Sequence, residues 1–175
     1  MTEIRLVQGD ITRIAADAII NAANESLRGG GGVDGAIHRA GGPAVMADLE
    51  RRYGPRRHCP TGSAVVSIAG DLPAQYVIHA VGPIWYGGTS REPELLASAY
   101  STSLDLARQH GCRNVTAPAI STGVYGYPIR RAAPVALRAV EDWITANPES
   151  IDTVTFVLFS GDSLEVFEHA LAELA

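Results

Sequence analysis

Four consecutive glycines and then an aspartate give the segment RGGGGVDGAI, residues 28–37, the residue types needed to bind an anion beside a carboxylate. Glycines lack a Cβ atom, so the backbone can approach a ligand closely and point successive N–H groups at it. Asp34 falls in the first turn of a predicted helix, where a carboxylate interacts favourably with the helix dipole by about 0.3–1 kcal/mol. The chemical alternative is that Asp34 positions or activates a water molecule beside a bound substrate.

The same glycines match a nucleotide-binding pattern, because Gly30, Gly32 and Gly35 fit the spacing GxGxxG of dinucleotide-binding folds. In those folds the first glycine directly follows a strand, and an acidic residue about twenty positions later contacts the ribose. Here about eight residues separate the preceding strand from the glycines, and Glu50, at the nominal distance, falls inside a predicted helix. This context disfavours a nicotinamide-dependent oxidoreductase.

A second glycine-containing loop, Ser121–Gly126, also lies between a predicted strand and a predicted helix. We refer to residues 28–35 as the first glycine loop and to residues 121–126 as the second glycine loop. Ligands of open α/β sheets bind outside the carboxyl ends of the strands. Two such loops at one sheet edge could hold a diphosphate from both sides, which predicts an anion-binding cleft.

Three further polar residues follow predicted strands and have both a functional and a structural interpretation. Asp10, in GDIT, can accept a hydrogen bond from an exocyclic amine, or it can cap the turn after the first strand. Asn24 can both donate to and accept from sugar hydroxyls, or it can satisfy loop backbone. Asn21, at the strand end, is predicted to be a structural amide that holds the neighbouring loops.

Two histidines and two cysteines complete the candidate residues. His38 is four positions after Asp34, so the two side chains share a helical face, and His38 either orients Asp34 or packs against loop backbone. His79 lies inside the strand YVIHAVGP and is predicted to be a core histidine. Cys59 lies in a basic loop, which could lower the pKa of its thiol, but nothing else supports covalent catalysis. Cys112 and Cys59 are expected to be buried thiols.

Strands alternate with helices along the chain, and several strands, such as DAIINAAN, are apolar throughout. The pattern predicts an α/β protein: a three-layer α/β/α sandwich around a mostly parallel mixed sheet of about six strands, forming one domain over residues 1–175. A helical pattern is interrupted near Gly41-Gly42-Pro43. Pro134 is expected in the first turn of the helix after the second glycine loop, where its missing N–H removes no helical hydrogen bond.

Composition excludes several function classes. The formal net charge of −5 and pI of about 5.5 argue against binding to nucleic-acid backbones, although backbone amides can still bind one small anion. All 14 cationic side chains are arginines, so neither a Schiff-base lysine nor a phosphate-loop lysine is present. The sequence shows no metal-ligand spacing around its cysteines, no targeting signal and no apolar run of membrane-spanning length. We expect a cytoplasmic, monomeric protein without membrane association.

Five motifs, in this order and spacing, resemble the macrodomain family: GDIT, DAIINAAN, GGGGVDGAIHRAGG, YVIHAVGP and ISTGVYGYP. The resemblance covers nearly the whole chain, so residues 1–175 are read as a single macrodomain. Within the family, the motifs are most similar to the MacroD-type branch, which hydrolyses esters of ADP-ribose. The extra cysteine and histidine ligands of a zinc-assisted subtype are missing.

The resemblance implies roles for the residues considered above. The catalytic residues would be Asp34, which orients the attacking water with help from a substrate phosphate, and Asn24, which binds the distal ribose that carries the ester. Asp10 and the Ile11 backbone would bind adenine, on which Phe159 would stack unless it is a core aromatic. Tyr125 would cover the distal ribose. The remaining ligand-binding residues implied are Asn21, Gly31, Gly32, Val33, His38, Ser121, Thr122, Gly123 and Val124.

The function implied is hydrolysis that removes mono-ADP-ribose from acidic protein side chains and deacetylates O-acetyl-ADP-ribose, with neither a metal nor a cofactor. Its partners would be ADP-ribose, ADP-ribosylated proteins and O-acetyl-ADP-ribose. Two alternatives use the same fold: a non-catalytic module that binds ADP-ribose, and a phosphatase acting on ADP-ribose 1″-phosphate. Because the fold is shared, only the residues of the site discriminate among them, and the presence of both Asn24 and Asp34 favours the hydrolase.

Overall fold

The structure, a computed structural model, describes residues 1–174. These residues form six strands, five α-helices and a short 3-10 turn. In chain order they are β1 (Glu3–Gln8), the 3-10 turn (Ile11–Arg13), β2 (Ala18–Ala23), α1 (Gly32–Gly41), α2 (Pro43–Tyr53), β3 (Ala64–Ile68), β4 (Tyr76–Val81), α3 (Glu92–Gln109), β5 (Asn114–Ala117), α4 (Ile129–Ala146), β6 (Thr153–Leu158) and α5 (Gly161–Leu174).

The strands form one mixed sheet in the order β1-β6-β5-β2-β4-β3. The pairs are parallel except that the edge strand β3 runs antiparallel to β4. Successive side chains of a strand point to opposite faces of a sheet. Ile20 and Phe156 pack on the side of α3, α4 and α5, whereas Ile19 and Val157 pack with Ile37 of α1 on the other. The predicted α/β sandwich is confirmed.

The central strand β2 is buried on both faces, as its apolar sequence predicts, and Ile19 and Ile20 have no exposed surface. The predicted interruption of the first helical segment is also confirmed. Gly42, with φ of +76°, separates α1 from α2, and Pro43 opens the second helix, where a missing N–H costs nothing. The resulting break directs α1 toward the site and α2 along β3.

Pro134 contradicts its prediction. Helix α4 begins at Ile129, so Pro134 is its sixth residue, beyond the first turn. The ring removes the N–H that would bond the Arg130 carbonyl. The helix nevertheless continues to Ala146, because its apolar face, which includes Leu137 and Trp143, is buried against the sheet and its neighbouring helices.

Asp48 joins α2 to the edge strand β3. Its side chain is buried and accepts hydrogen bonds from the backbone N–H of Ile68 (2.8 Å), from Arg52 (2.7 Å) and from Arg51. Burial alone would raise the pKa of Asp48, but the hydrogen bonds from Ile68 and the two guanidinium groups outweigh it, and the net pKa is lowered. The carboxylate is therefore more favourable in the folded chain than in the unfolded chain.

We expect Asp48→Asn to lower the free energy of unfolding at pH 7 by about 1.5–3 kcal/mol, the usual contribution of a hydrogen bond to a charged group. In the folded chain the pKa of Asp48 lies below its ordinary value of 3.8. The contribution of the Asp48 carboxylate to the free energy of unfolding is therefore complete above pH 3.8 and is lost as the pH falls through the folded pKa. Urea unfolding at pH 7 and pH 3 should show the wild type and variant converging in acid. Glu50→Gln, an exposed change on the same helix, is the control. An unchanged difference at pH 3 would contradict the role of the charge.

Candidate active site

The residues singled out by sequence lie at one edge of the sheet. Strands β1, β6, β5 and β2 are parallel neighbours, so their carboxyl ends meet at that edge. Asp10 follows β1, Asn24 follows β2, the second glycine loop follows β5, and Phe159 follows β6. The first glycine loop lies between β2 and α1 at the same edge.

Asp34 is a buried carboxylate in the first turn of α1, with 5% of its surface exposed. Its Oδ1 atom accepts a hydrogen bond from Nδ2 of Asn21 at 2.7 Å. Its Oδ2 atom lies toward the first glycine loop, since a Cβ atom placed on Gly30 would be 3.3 Å from it. Within residues 1–174, the side-chain contacts of Asp34 with Asn21 and His38 are made at Oδ1, which leaves Oδ2 available to water or a ligand.

His38 contacts Asp34 from the next turn of α1, as their spacing predicts. Its Nε2 atom lies 3.3 Å from Oδ1 of Asp34, and its side chain is 15% exposed. The His38 ring also stacks on the ring of His79, with centroids 5.9 Å apart. Of its two predicted roles, orientation of Asp34 is the one that this geometry supports.

Asn21 is fully buried, and its Nδ2 group donates to both Asp34 and Nδ1 of His79, the latter at 3.1 Å. Its Oδ1 atom is buried and has no hydrogen-bond partner among residues 1–174. Leaving a buried acceptor unpaired costs about 1–3 kcal/mol, so the amide orientation is maintained by its donor side. The sequence predicts that Asn21 holds the neighbouring loops and contacts the ligand. In the structure Asn21 has no exposed surface, and its side chain donates to the Asp34 carboxylate.

His79 is buried in β4, as predicted, but it is connected to the site. Its Nε2 atom lies 2.8 Å from Oγ of Ser67 on β3, and that hydroxyl donates to the Ile68 carbonyl at 2.9 Å. Burial, with a smaller contribution from His38, lowers the pKa of His79 to about 3, so the ring is neutral. Sequence reasoning missed this connection. The available signal was that Asn21 and His79 are polar residues inside two otherwise apolar strands.

Asn24 closes the loop that follows β2. Its Nδ2 group donates to the Gly29 carbonyl at 3.0 Å, and its Oδ1 atom accepts from the Leu27 N–H and the Ser26 hydroxyl. Asn24 therefore satisfies groups of its own loop, as its structural interpretation predicts. Within residues 1–174, the second N–H of its Nδ2 group has no hydrogen-bond partner. A Cβ atom on Gly30 would lie 3.6 Å from Nδ2 of Asn24 and 3.3 Å from Oδ2 of Asp34, so both side chains converge over Gly30.

The first glycine loop leaves space where a ligand would approach. A Cβ atom on Gly31 or Gly32 would meet nothing within 4 Å, and both residues are exposed. Gly31 is the N-cap of α1 and provides no side-chain cap. The first N–H groups of a helix have no intrahelical partner, so those at the start of α1, including that of Val33, can bind an anion.

The second glycine loop begins with a strained residue. Ser121 has φ of +71°, and its buried Oγ atom has no hydrogen-bond partner within residues 1–174. A Cβ atom on Gly82 would lie 2.3 Å from that Oγ, so the close approach requires glycine there. Thr122 bonds the Ala119 carbonyl through its hydroxyl, and Gly123 and Val124 are exposed at the tip.

Tyr125 joins the second glycine loop to the segment after β4. Its carbonyl accepts the N–H of Trp85 at 2.9 Å. Its half-buried phenol has a raised pKa, first because of burial and then because Glu25 and Asp34 are negatively charged. The two glycine loops follow β2 and β5, which are adjacent strands, so both lie at the same edge of the sheet.

Asp10, Ile11 and Phe159 follow the neighbouring strands β1 and β6, at the same edge of the sheet. Oδ1 of Asp10 accepts both the N–H (3.0 Å) and the hydroxyl (2.6 Å) of Thr12, so Asp10 caps the 3-10 turn as its structural interpretation proposed. Oδ2 of Asp10 lies 3.7 Å from Arg13 and faces outward. Phe159 is 87% exposed, which excludes the alternative that it is a core aromatic, and the Ile11 side chain is buried.

Three remaining predictions concern covalent, metal and membrane chemistry. Cys59 is buried, and this burial raises the pKa of its thiol to about 11, which contradicts an activated nucleophile. Within residues 1–174, no group of three or more His, Cys, Asp or Glu side chains is arranged to hold a metal ion. Among the helices of the same residues, none has the length and apolar character to cross a membrane.

Comparison with known proteins identifies relatives over the full length of the chain. The Macro domain family model matches residues 20–136. A macro domain-containing protein of Caldanaerobacter subterraneus is 53% identical over 98% of this chain and 97% of its own length. The Escherichia coli protein named O-acetyl-ADP-ribose deacetylase is 49% identical over 98% of this chain and 97% of its own length.

Solved structures agree with this assignment. A variant of the Oceanobacillus iheyensis macrodomain with ADP-ribose has a TM-score of 0.89 and 38% identity, over 97% of this chain and 91% of that one. The Trypanosoma brucei macrodomain in complex with ADP-ribose has a TM-score of 0.86 and 37% identity, over 96% of this chain and 68% of that one. By its sequence, its fold and its relatives, this chain belongs to the macrodomain family.

Proposed function

We propose that this macrodomain hydrolyses ADP-ribosyl esters: it removes mono-ADP-ribose from acidic protein side chains and deacetylates O-acetyl-ADP-ribose. The observation that carries the proposal is the Asp34 carboxylate. Side chains of Asn21 and His38 contact its Oδ1 atom, while its Oδ2 atom faces the open space over Gly30, beside Asn24. A carboxylate held in this way is suited to position a water molecule and to accept its proton.

The relatives support this proposal. One is named O-acetyl-ADP-ribose deacetylase, and two macrodomains of the same fold hold ADP-ribose. Structures of the Oceanobacillus iheyensis macrodomain also include an asparagine-to-alanine and an aspartate-to-alanine variant. Those two positions are ten residues apart, as Asn24 and Asp34 are here.

The diphosphate of the ligand would lie between the two glycine loops. Backbone N–H groups of the first turn of α1 are unpaired and lie at the positive end of its dipole. At Gly31 and Gly32, the absence of side chains lets a phosphate approach that backbone. The exposed tip at Gly123 and Val124 would cover it from the other side.

The hydrolytic step follows from this placement. Water held by Oδ2 of Asp34 would attack C1″ of the distal ribose in the protein-linked ester, and the bond to the carboxylate oxygen of the target side chain would break. In O-acetyl-ADP-ribose the same water would attack the acetyl carbonyl, the bond from the acyl carbon to the ribose oxygen would break, and the ribose oxygen would take up a proton as acetate leaves. In both cases the water proton passes to Asp34 or to a phosphate oxygen. The free N–H of Asn24 would bind a hydroxyl of the distal ribose.

We expect Asp34→Ala to lower the rate of ester hydrolysis by about 10²-fold or more, the usual contribution of a positioned general base. The purified protein would be incubated, with and without EDTA, with each of three substrates: a protein ADP-ribosylated on Asp and Glu, O-acetyl-ADP-ribose, and ADP-ribose 1″-phosphate. Release of ADP-ribose would be followed by chromatography, and binding of ADP-ribose by calorimetry. The variant should still bind ADP-ribose, because the proposed contacts with the diphosphate and the adenine do not involve Asp34.

The same experiment separates the alternatives. Tight ADP-ribose binding by the wild type with no release from any substrate would replace the proposal by a binding module. Release from the 1″-phosphate alone would indicate a phosphatase. Release that EDTA abolishes would contradict hydrolysis without a metal.

We also expect Phe159→Ala to weaken binding of ADP and ADP-ribose equally, by about 1–3 kcal/mol, the contribution of stacking a base on an aromatic ring. Phe159 is 87% exposed, so its removal should leave the unfolding temperature unchanged. The matched control is Tyr86→Ala, which removes an aromatic that is 68% exposed near Tyr125, at the other end of the cleft. Equal effects of the two changes on ADP binding would contradict adenine stacking at Phe159.

A further inference from the structure

A chain of buried polar side chains runs from β3 to the carboxylate of Asp34. Ser67 contacts Nε2 of His79 at 2.8 Å, Nδ1 of His79 contacts Nδ2 of Asn21 at 3.1 Å, and Nδ2 of Asn21 contacts Oδ1 of Asp34 at 2.7 Å. Ser67, His79 and Asn21 are each no more than 1% exposed. The chain crosses three adjacent elements and ends at the atom that sets the orientation of Asp34.

The position of each proton in this chain follows from the available donors. The Nδ2 group of Asn21 can only donate, so Nδ1 of His79 must present a lone pair to it. In a neutral ring Nε2 then carries the proton and donates to Ser67, whose own proton is free for the Ile68 carbonyl. That lone pair accepts one N–H of Asn21, and the second N–H of Asn21 is donated to Asp34.

We propose that His79 is a positioning residue for the hydrolytic carboxylate: as the Nε2–H tautomer, it holds the Asn21 amide with its donor side toward Asp34. The inference rests on the proposed function, because Asp34 is the group it positions. The other tautomer would place an N–H against the N–H of Asn21. The amide would then turn over and present its carbonyl oxygen to the Asp34 carboxylate, and the two would repel each other.

Two observations support this role for the tautomer. Oδ1 of Asn21 has no partner within residues 1–174, so nothing on the carbonyl side selects the observed amide orientation. Burial and the His38 ring stacked on it lower the pKa of His79, whereas the carboxylates of Asp34 and Asp48 raise it. The net effect lowers the pKa, so the ring is neutral. A neutral ring can hold one tautomer throughout the physiological pH range.

Two substitutions of His79 test the contacts of its two ring nitrogen atoms separately. The side-chain oxygen of His79→Asn stands near the position of Nδ1 and can accept from Asn21, although the contact with Ser67 is lost. The amide of His79→Gln reaches the position of Nε2 and can donate to Ser67, but leaves Asn21 without an acceptor. Both variants place an uncharged amide in the same buried site, so each is the control for the other.

We expect His79→Gln to lower kcat for O-acetyl-ADP-ribose roughly tenfold or more, by analogy with the loss found when the hydrogen-bond partner of a metal ligand is removed. KM should be unchanged, and His79→Asn should retain clearly more of kcat even though its side chain is smaller. Thermal unfolding of both variants would be measured in parallel. Equal losses of kcat, a larger loss in His79→Asn, or an effect on KM alone would overturn the proposal and leave His79 as a packing residue.

A measurement on the wild-type protein tests the tautomer even if neither variant folds. The chain has five histidines, so the side-chain ¹⁵N resonances of a histidine-labelled sample can be resolved by NMR. We expect one ring to remain the Nε2–H tautomer, without titration between pH 5 and 9, because burial lowers the pKa of His79 to about 3. Its coupling to Asn21 across the hydrogen bond would identify it as His79. An Nδ1–H tautomer, or titration of His79 in this range, would overturn the proposal.

The NMR result does not depend on catalysis. If the wild-type protein released no ADP-ribose from any ester while His79 was found as the Nε2–H tautomer, the proposed function would fail and the hydrogen-bonded chain would stand. If the wild type hydrolysed esters while the tautomer was Nδ1–H, the proposed function would stand and the positioning role would fail.

Discussion

The parallel pairing of β2 with β4 is the constraint on which the site depends. It places Asn21 directly opposite His79. The register is set by apolar residues that must face their own cores, since Ile19 packs toward α1 and Ile20 toward α3. A shift of one residue would exchange the faces of a strand and bury Asn21 among the apolar residues of the opposite layer. Hydrophobic burial thus fixes the register that brings Asn21 into hydrogen-bond contact with His79.

The break between α1 and α2 is the second element that shapes the site. Helix α1 begins at Gly32, directly after the first glycine loop, so its N-terminus lies at the sheet edge beside the strand ends. Gly42 ends the helix after ten residues. His38 then lies one turn beyond Asp34 and within reach of its carboxylate. A continuous helix over 32–53 could not direct its first part toward the site and its second part along β3.

Local patterns predict most of the fold, whereas contacts between distant residues are not encoded in any one segment. The apolar strand β2 and the break at Gly41–Pro43 follow from residue types alone. The predicted position of Pro134 is wrong because burial of one face of α4 compensates for the lost hydrogen bond, so the helix extends to both sides of the proline. The connection of His79 to Asp34 requires two contacts across separations of 58 and 13 residues, so it depends on strand order. Residue type alone leaves Phe159 either in the core or at the ligand. Strand β6 ends at Leu158, so Phe159 lies just beyond it and outside the core.

A carboxylate next to an anion-binding loop raises an electrostatic conflict, and the distribution of donors resolves it. Asp34 lies in the first turn of α1, so its own charge and a bound phosphate would compete for the same N–H groups. Oδ1 of Asp34 instead accepts a hydrogen bond from Asn21 on β2 and lies 3.3 Å from Nε2 of His38 on α1. The backbone donors of the helix terminus remain for the phosphate. Such donors act at contact distance, whereas the long-range field of a chain of net charge −5 is screened beyond about 8 Å at physiological salt.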